Sequence, residues 1–233
     1  MTHTSASTRT RSLIALTLLV PAPTIGVLMA MHFSPGPVGQ AVYGASKVWI
    51  LLLPLAWLLL VHGQKPDISS PLKARGIGLG VVLGLLIGAI ILGGYMLIGK
   101  QWIDADAMRV VADRNGLDEK WKYLALAGYL CVVNSLLEEY VWRWFVFHHC
   151  AALVPRWPAM LLSGLLFTVH HIFALGLQFD WRITALGSAG VCIGGVTWSW
   201  LYLRFGTVWP GWVSHLLVDV AVFIVGWQII FAS

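Results

Sequence analysis

Seven ionisable side chains stand inside long apolar stretches of this sequence. They are two glutamates, one aspartate, one arginine and three histidines: Glu138, Glu139, Asp219, Arg143, His170, His171 and His215. At the centre of a bilayer, a charged group costs at least about 2.5–3.5 kcal/mol on insertion scales, and it is retained when it pairs, faces a wet cavity or takes part in chemistry. We therefore expect these side chains to form one shared polar site, and their types suit acid–base chemistry.

Spacing assigns different roles to the two adjacent glutamates. Glu139 and Arg143 are four residues apart, so they share a helix face and can form a structural ion pair. Glu138 points about 100° away, on the face of Asn134, where its own helix offers no basic partner. A carboxylate without a cationic partner in a low dielectric can take up a proton near neutral pH. Glu138 thus has the profile of a general base acting on water.

The histidines occur on two other apolar stretches. His215 and Asp219 are also four residues apart, so Asp219 could fix the orientation and tautomer of the imidazole. His171 stands on a separate helix, where it could hold the same water or stabilise an oxyanion. One of His170 and His171 is expected to serve only a structural hydrogen bond.

Composition predicts that these stretches are membrane spans. Hydrophobic residues make up 58% of the 233 residues and charged residues 11%, against roughly a quarter in soluble domains. The mean hydropathy of +0.80 excludes a soluble globular, disordered or disulfide-stapled chain. Long apolar runs rather than alternating residues argue against an outer-membrane barrel. Three cysteines without a CxxC pair support neither a thiolate zinc site nor a disulfide framework.

The apolar runs predict an all-α, polytopic membrane protein with about seven transmembrane helices. A span needs about 20 apolar residues, and the candidates are 13–32, 45–62, 76–99, 121–147, 158–177, 183–203 and 208–231. We expect a single membrane domain, in which 1–120 holds N-terminal helices and 121–233 the catalytic helical core. The first run is interpreted as a retained span rather than a cleaved signal peptide, because it is long and no clear cleavage site follows. The stretch Ala105–Leu117 is predicted to form a short amphipathic surface helix.

Loop charges predict the orientation. Most basic loop residues fall on one side of a seven-span chain: Arg9, Arg11, Lys65, Lys73, Arg75, Arg156 and Arg204. By the positive-inside rule the N-terminus is cytoplasmic and the C-terminus external, with the protein in the cytoplasmic (inner) membrane. No basic cluster with interleaved aromatics suggests nucleic-acid binding.

Depth along the helices supports one shared site. Glu138 lies roughly 15 Å from the cytoplasmic end of its helix, and His171 roughly 20 Å past Pro158. His215 and Asp219 lie roughly 8–14 Å past Pro210. The three helices therefore place their polar groups in one slab of the membrane, whichever way the chain is inserted.

The order of the motifs resembles one known family. The chain lacks HExxH, GxSxG, the rhomboid Gly-x-Ser-Gly and the aspartyl Gly-x-Gly-Asp motifs. It has Glu138-Glu139-x-x-x-Arg143, then Phe167-x-x-x-His171, then His215-x-x-x-Asp219. Together, on successive apolar helices, these motifs resemble the CPBP family of intramembrane endopeptidases. That family includes the type II CAAX prenyl proteases and the bacteriocin-processing and self-immunity proteins, and the resemblance covers roughly residues 120–225.

The resemblance implies a membrane protease that hydrolyses a peptide bond near the membrane surface, acting on a membrane-associated or prenylated peptide or protein. By the family pattern, Glu138 activates water, and His171, His215 and Asp219 complete the catalytic set, with Asn134, Phe167, Glu139 and Arg143 in support. The family has Asn or Asp at the last position, and an ionised Asp219 cannot donate to an oxyanion. We expect a metal-free mechanism, with zinc held by Glu138, His171 and His215 as the alternative.

Two other functions use the same residues. Acid and histidine clusters also form relays in proton- or metal-coupled transporters, although the chain shows no pair of symmetric halves. A non-catalytic immunity or scaffold protein would keep the fold without turnover. A cleavage screen of wild type against Glu138→Ala, with and without chelator, distinguishes the protease from these two alternatives.

Overall fold

The computed structural model describes residues 6–63 and 75–232, and within them it contains helices joined by short turns and no strand. Seven helices are long and apolar enough to cross a membrane. They and one short helix are numbered in chain order: α1 Ala6–Phe33, α2 Pro37–Leu60, α3 Ile77–Trp102, α4 Ala105–Arg114, α5 Lys120–Leu153, α6 Arg156–Gly176, α7 Trp181–Phe205 and α8 Trp209–Phe231. The predicted fold class is confirmed: the chain is a multi-pass integral membrane protein.

The helix ends follow local sequence signals. Asp180 caps α7, because its carboxylate accepts hydrogen bonds from the backbone N–H groups of Arg182 and Ile183. Gly206 ends the same helix in the left-handed conformation at φ 68°, which glycine adopts without strain. Asp104 caps α4 through the backbone N–H of Ala107, so a short surface helix forms where the sequence predicts one.

Helix α5 is the longest span, at 34 residues, and it is not α-helical throughout. Two π-helical segments, Leu130–Asn134 and Tyr140–Phe147, flank the short α-helical segment Ser135–Glu139. Such π turns are rare and often occur at functional sites. Here they enclose the two glutamates that the sequence singles out.

Glycines allow α8 to lie close against α3. A Cβ atom added to Gly80 would collide with the carbonyl of Pro210, and one added to Gly84 would lie 2.9 Å from the backbone of Ser214. Further along, Gly88 faces Ala221. Small residues permit such close helix contacts in membranes. The helix that carries His215 is therefore positioned by backbone contact with α3.

The basic loop residues that predict the orientation are only partly described. Lys65 and Lys73 lie outside the described residues, whereas Arg9, Arg156 and Arg204 stand at or near helix ends. The cytoplasmic location of the N-terminus remains a prediction. Cys131, Cys150 and Cys192 are all free thiols, as the absence of a cysteine pair motif suggests.

Candidate active site

Glu139 is held on several sides in the protein interior. Both Glu139 and Arg143 are 0% exposed, and the Oε1 atom of the glutamate lies 3.2 Å from a terminal nitrogen of the guanidinium. The same oxygen accepts a hydrogen bond from Nδ1 of His215 at 3.1 Å. A Cβ atom at Gly211 would lie 2.5 Å from the other carboxylate oxygen, so any larger residue there must displace the carboxylate. These contacts hold the Glu139 carboxylate in place and fix the imidazole of His215 against it.

Arg143 is enclosed by aromatic rings as well as by its carboxylate. The centre of its guanidinium lies 4.9 Å from the ring centroid of Phe167 and 5.3 Å from that of Trp198. Cation–π contacts of this kind contribute about 0.5–2 kcal/mol each. The ion pair thus joins α5 to α6 and α7 in the core.

Glu138 has different surroundings from its neighbour. Its Oε1 atom accepts a hydrogen bond of 2.9 Å from the amide of Asn134, which in turn accepts one of 3.2 Å from Nζ of Lys47. These three side chains line a cavity of about 50 Å³ together with His170. Because about 10–15 Å³ of such cavity volume suffices to hold a water, there is room for at least one water beside the carboxylate.

Lys47 is a residue that the sequence interpretation missed. It lies in α2, and the spacing argument considered cations on the helix of Glu138 alone. A lysine among apolar neighbours in a predicted span is the signal that could have identified it. The lone carboxylate of the prediction therefore has a nearby cation, contributed by another helix.

His215 lies between the two glutamates and the aspartate. Its Nδ1–H donates to Glu139, so Nε2 faces away from that bond, 3.7 Å from Oε2 of Glu138 and 3.7 Å from Oδ1 of Asp219. The ring stacks on Trp198, with centroids 3.8 Å apart. Asp219 was expected to orient this imidazole, but 3.7 Å exceeds a hydrogen bond. Glu139 supplies that bond instead, which spacing along one helix could not reveal.

His171 is tied to its own helix. Its Nδ1 lies 3.1 Å from the carbonyl oxygen of Phe167, and since a carbonyl only accepts, Nδ1 carries the proton. A neutral His171 therefore offers the lone pair of Nε2. The ring of Phe167 lies 4.7 Å from that of His171 and 6.2 Å from that of His215, so it is a neighbour of both imidazoles.

His170 borders the same cavity as Glu138. Its ring stacks on Trp142 at 5.5 Å and borders the cavity beside Glu138, whereas His171 does not line that cavity. Its Nδ1 has no hydrogen-bond partner among the described residues. The division of roles between the two adjacent histidines thus stays open.

The side chains do not form a ready metal site. Across residues 6–63 and 75–232, no group of three or more His, Cys, Asp and Glu side chains is arranged to hold a metal ion. The set Glu138, His171 and His215, named above as possible zinc ligands, does not meet this geometry.

Of the comparisons with known proteins, only the one with protein-family models gives a match. No curated protein and no solved structure matches the chain significantly. Residues 120–221, which include α5 to α7 and the part of α8 that carries His215 and Asp219, match the family model of the Rce1-like type II CAAX prenyl endopeptidases. For the part of the chain that carries the candidate site, this match confirms the resemblance to the CPBP family of intramembrane endopeptidases.

Proposed function

We propose that this protein is an intramembrane endopeptidase that hydrolyses a peptide bond of a membrane-associated substrate with a water activated by Glu138. The observation that carries the proposal is the water-sized cavity at Glu138, with His215 beside the same carboxylate. The match to a CAAX-protease family supports a peptide substrate at the membrane, prenylated or not.

The first step is deprotonation of the water. Glu138 accepts the proton, and the hydroxide oxygen attacks the carbonyl carbon of the substrate. The hydrogen bond from Asn134 and the charge of Lys47 keep the carboxylate oriented and ionised before the reaction. Glu138 then returns the proton to the leaving amine as the tetrahedral intermediate collapses.

The oxyanion needs a hydrogen-bond donor. Nδ1 of His171 and Nδ1 of His215 are already used, so each ring can donate to substrate only from a protonated Nε2. His215 is surrounded by Glu138, Glu139 and Asp219, whose negative charges favour its cationic form. We therefore assign the oxyanion contact to Nε2–H of His215, with Asp219 as a charge partner. His171 then accepts a hydrogen bond from the leaving group.

A cleavage screen of the purified protein tests this function. Wild type should cleave membrane-anchored peptides, prenylated and unprenylated, and Glu138→Gln should not. Glu119→Gln, at the exposed start of α5, is the matched control and should retain activity. If a chelator abolishes cleavage, the metal-free mechanism is wrong. If no substrate is cut while the protein moves protons or metal ions across vesicles, the transporter hypothesis replaces the protease.

A further inference from the structure

A second cavity, of about 250 Å³, lies between α2, α5 and α7, away from the site described above. Its lining includes three histidines and several aromatic residues: Trp57, His62, Phe145, His148, His149 and Tyr202. It shares no lining residue with the cavity beside Glu138. Its volume is several times that of one water, so it can accept the head of a small molecule.

The three imidazoles are close neighbours. The rings of His62 and His149 stack with centroids 6.3 Å apart, and those of His148 and His149 meet edge to face at 5.5 Å. Nδ1 of His149 lies 3.0 Å from the hydroxyl of Ser12 on α1. No carboxylate lines the cavity in the described part of the chain. A cationic guest would therefore meet no opposite charge.

Trp57 supplies an unpaired donor. The residue is only 8% exposed, and its indole Nε1–H has no hydrogen-bond partner among the described residues. A buried N–H group without an acceptor is costly, so an acceptor group in the cavity would be stabilised there. An apolar guest would leave this donor unpaired.

Residues near the cavity along the chain include two arginines and two exposed leucines. Arg9 stands one turn before Ser12 on α1, and Arg204 lies just beyond Tyr202 on α7, both on the side predicted to be cytoplasmic. Beside the lining residue Leu58, the side chains of Leu59 and Leu60 are exposed at the end of α2. A headgroup in the cavity could thus keep its acyl chains against this apolar surface.

From these observations we propose that the cavity binds the phosphate group of an anionic phospholipid, through Trp57 and the histidines. Basic pockets between membrane helices on the cytoplasmic side bind anionic headgroups in this way. A metal ion is a poorer fit, since no three-ligand cluster exists in the described residues. This binding does not depend on the proposed protease activity.

Lipid binding by the purified full chain tests the proposal, measured by native mass spectrometry and by thermal stabilisation. The probes are phosphatidylglycerol, phosphatidylcholine and inorganic phosphate. Wild type should bind phosphatidylglycerol at least about tenfold more tightly than phosphatidylcholine, since no carboxylate lines the cavity to pair with the choline cation. Trp57→Phe keeps an aromatic ring and removes the N–H donor. It should weaken the binding of phosphatidylglycerol about tenfold, as expected for the loss of one hydrogen bond to a charged group.

Two further variants complete the test. The double variant His62→Gln/His148→Gln alters two exposed histidines and should also weaken the binding of phosphatidylglycerol. The control His32→Gln alters an exposed histidine on another part of the chain and should leave this binding unchanged. Unchanged binding in Trp57→Phe, or equal binding of the two lipids, would overturn the proposal. If inorganic phosphate stabilises the protein as much as phosphatidylglycerol does, the proposal that the ligand is a lipid is wrong. If the double variant fails to fold, Trp57→Phe alone decides.

Discussion

The glutamine variants of Glu138 and Glu139 should separate catalysis from stability. Glu138→Gln keeps the shape of the side chain and its contact with Asn134, because the new amide oxygen still accepts that hydrogen bond. It cannot accept the proton of a water, and loss of a general base slows reactions by about 10²–10⁴-fold. We expect a fall of that size in cleavage rate with little change in stability.

Glu139→Gln should act on the fold. Arg143 is fully buried, and apart from Glu139 its described neighbours include the faces of Phe167 and Trp198. Its Nε and both terminal nitrogens have no hydrogen-bond partner among the described residues, so the ion pair with Glu139 at 3.2 Å is the main compensation of its charge. Breaking a buried ion pair from one side costs about 3–5 kcal/mol, and the cation–π contacts, which wild type already makes, do not replace the lost carboxylate. At about 2–4 °C per kcal/mol for a chain of this length, Tm should fall by about 6–20 °C.

The assay is thermal unfolding in detergent together with the cleavage rate, for wild type, both variants and Glu119→Gln as control. The glutamate at the exposed start of α5 should change neither quantity. An active Glu138→Gln beside a stable but inactive Glu139→Gln would show that the base is the other carboxylate. Equal losses of Tm in both variants would refute the assignment of the buried ion pair to Glu139 alone.

Three further predictions follow from the contacts of the site. Gly211→Ala should cost about 1–3 kcal/mol and reduce the cleavage rate, because the added methyl group displaces Glu139, whereas Gly190→Ala, in open space, should be neutral by thermal unfolding and cleavage assay. Lys47→Met should reduce the rate with little loss of Tm, since it removes a charge near the base but no ion pair; an unchanged rate would exclude the lysine from catalysis. Reporter fusions in the loop between α2 and α3 and in α4 should report opposite sides of the membrane; a shared side would contradict the predicted topology.

The fold could be predicted from the sequence because membrane spans are read from apolar length alone. All seven spans were predicted, and the differences lie at their ends. Helix α1 begins at Ala6 and includes Arg9 and Arg11, since a helix can continue past the apolar run that crosses the bilayer. Helix α5 likewise extends to Leu153. Hydropathy finds the segment inside the membrane and misses its polar extensions.

The site could be predicted only within single helices. The i,i+4 rule places Asn134 beside Glu138 and Arg143 beside Glu139, and both contacts are present. Contacts between helices could not be predicted from the sequence. Which residues of two helices face each other depends on how the helices pack and, for α5, on its π-helical turns. The bond from Glu139 to His215 and the lysine of α2 belong to this second kind.

The glycines of α3 should matter for function although they lie outside the residues that match the family model. Gly80 and Gly84 touch the backbone of α8 next to Pro210 and Ser214, the residue before His215. Any larger side chain there must push α8, and with it the imidazole, away from the glutamates. In a library of random variants, inactive clones with changes outside residues 120–221 should therefore recur at every fourth position of α3, at Gly80, Gly84 and Gly88. Gly78, which faces open space, should tolerate substitution.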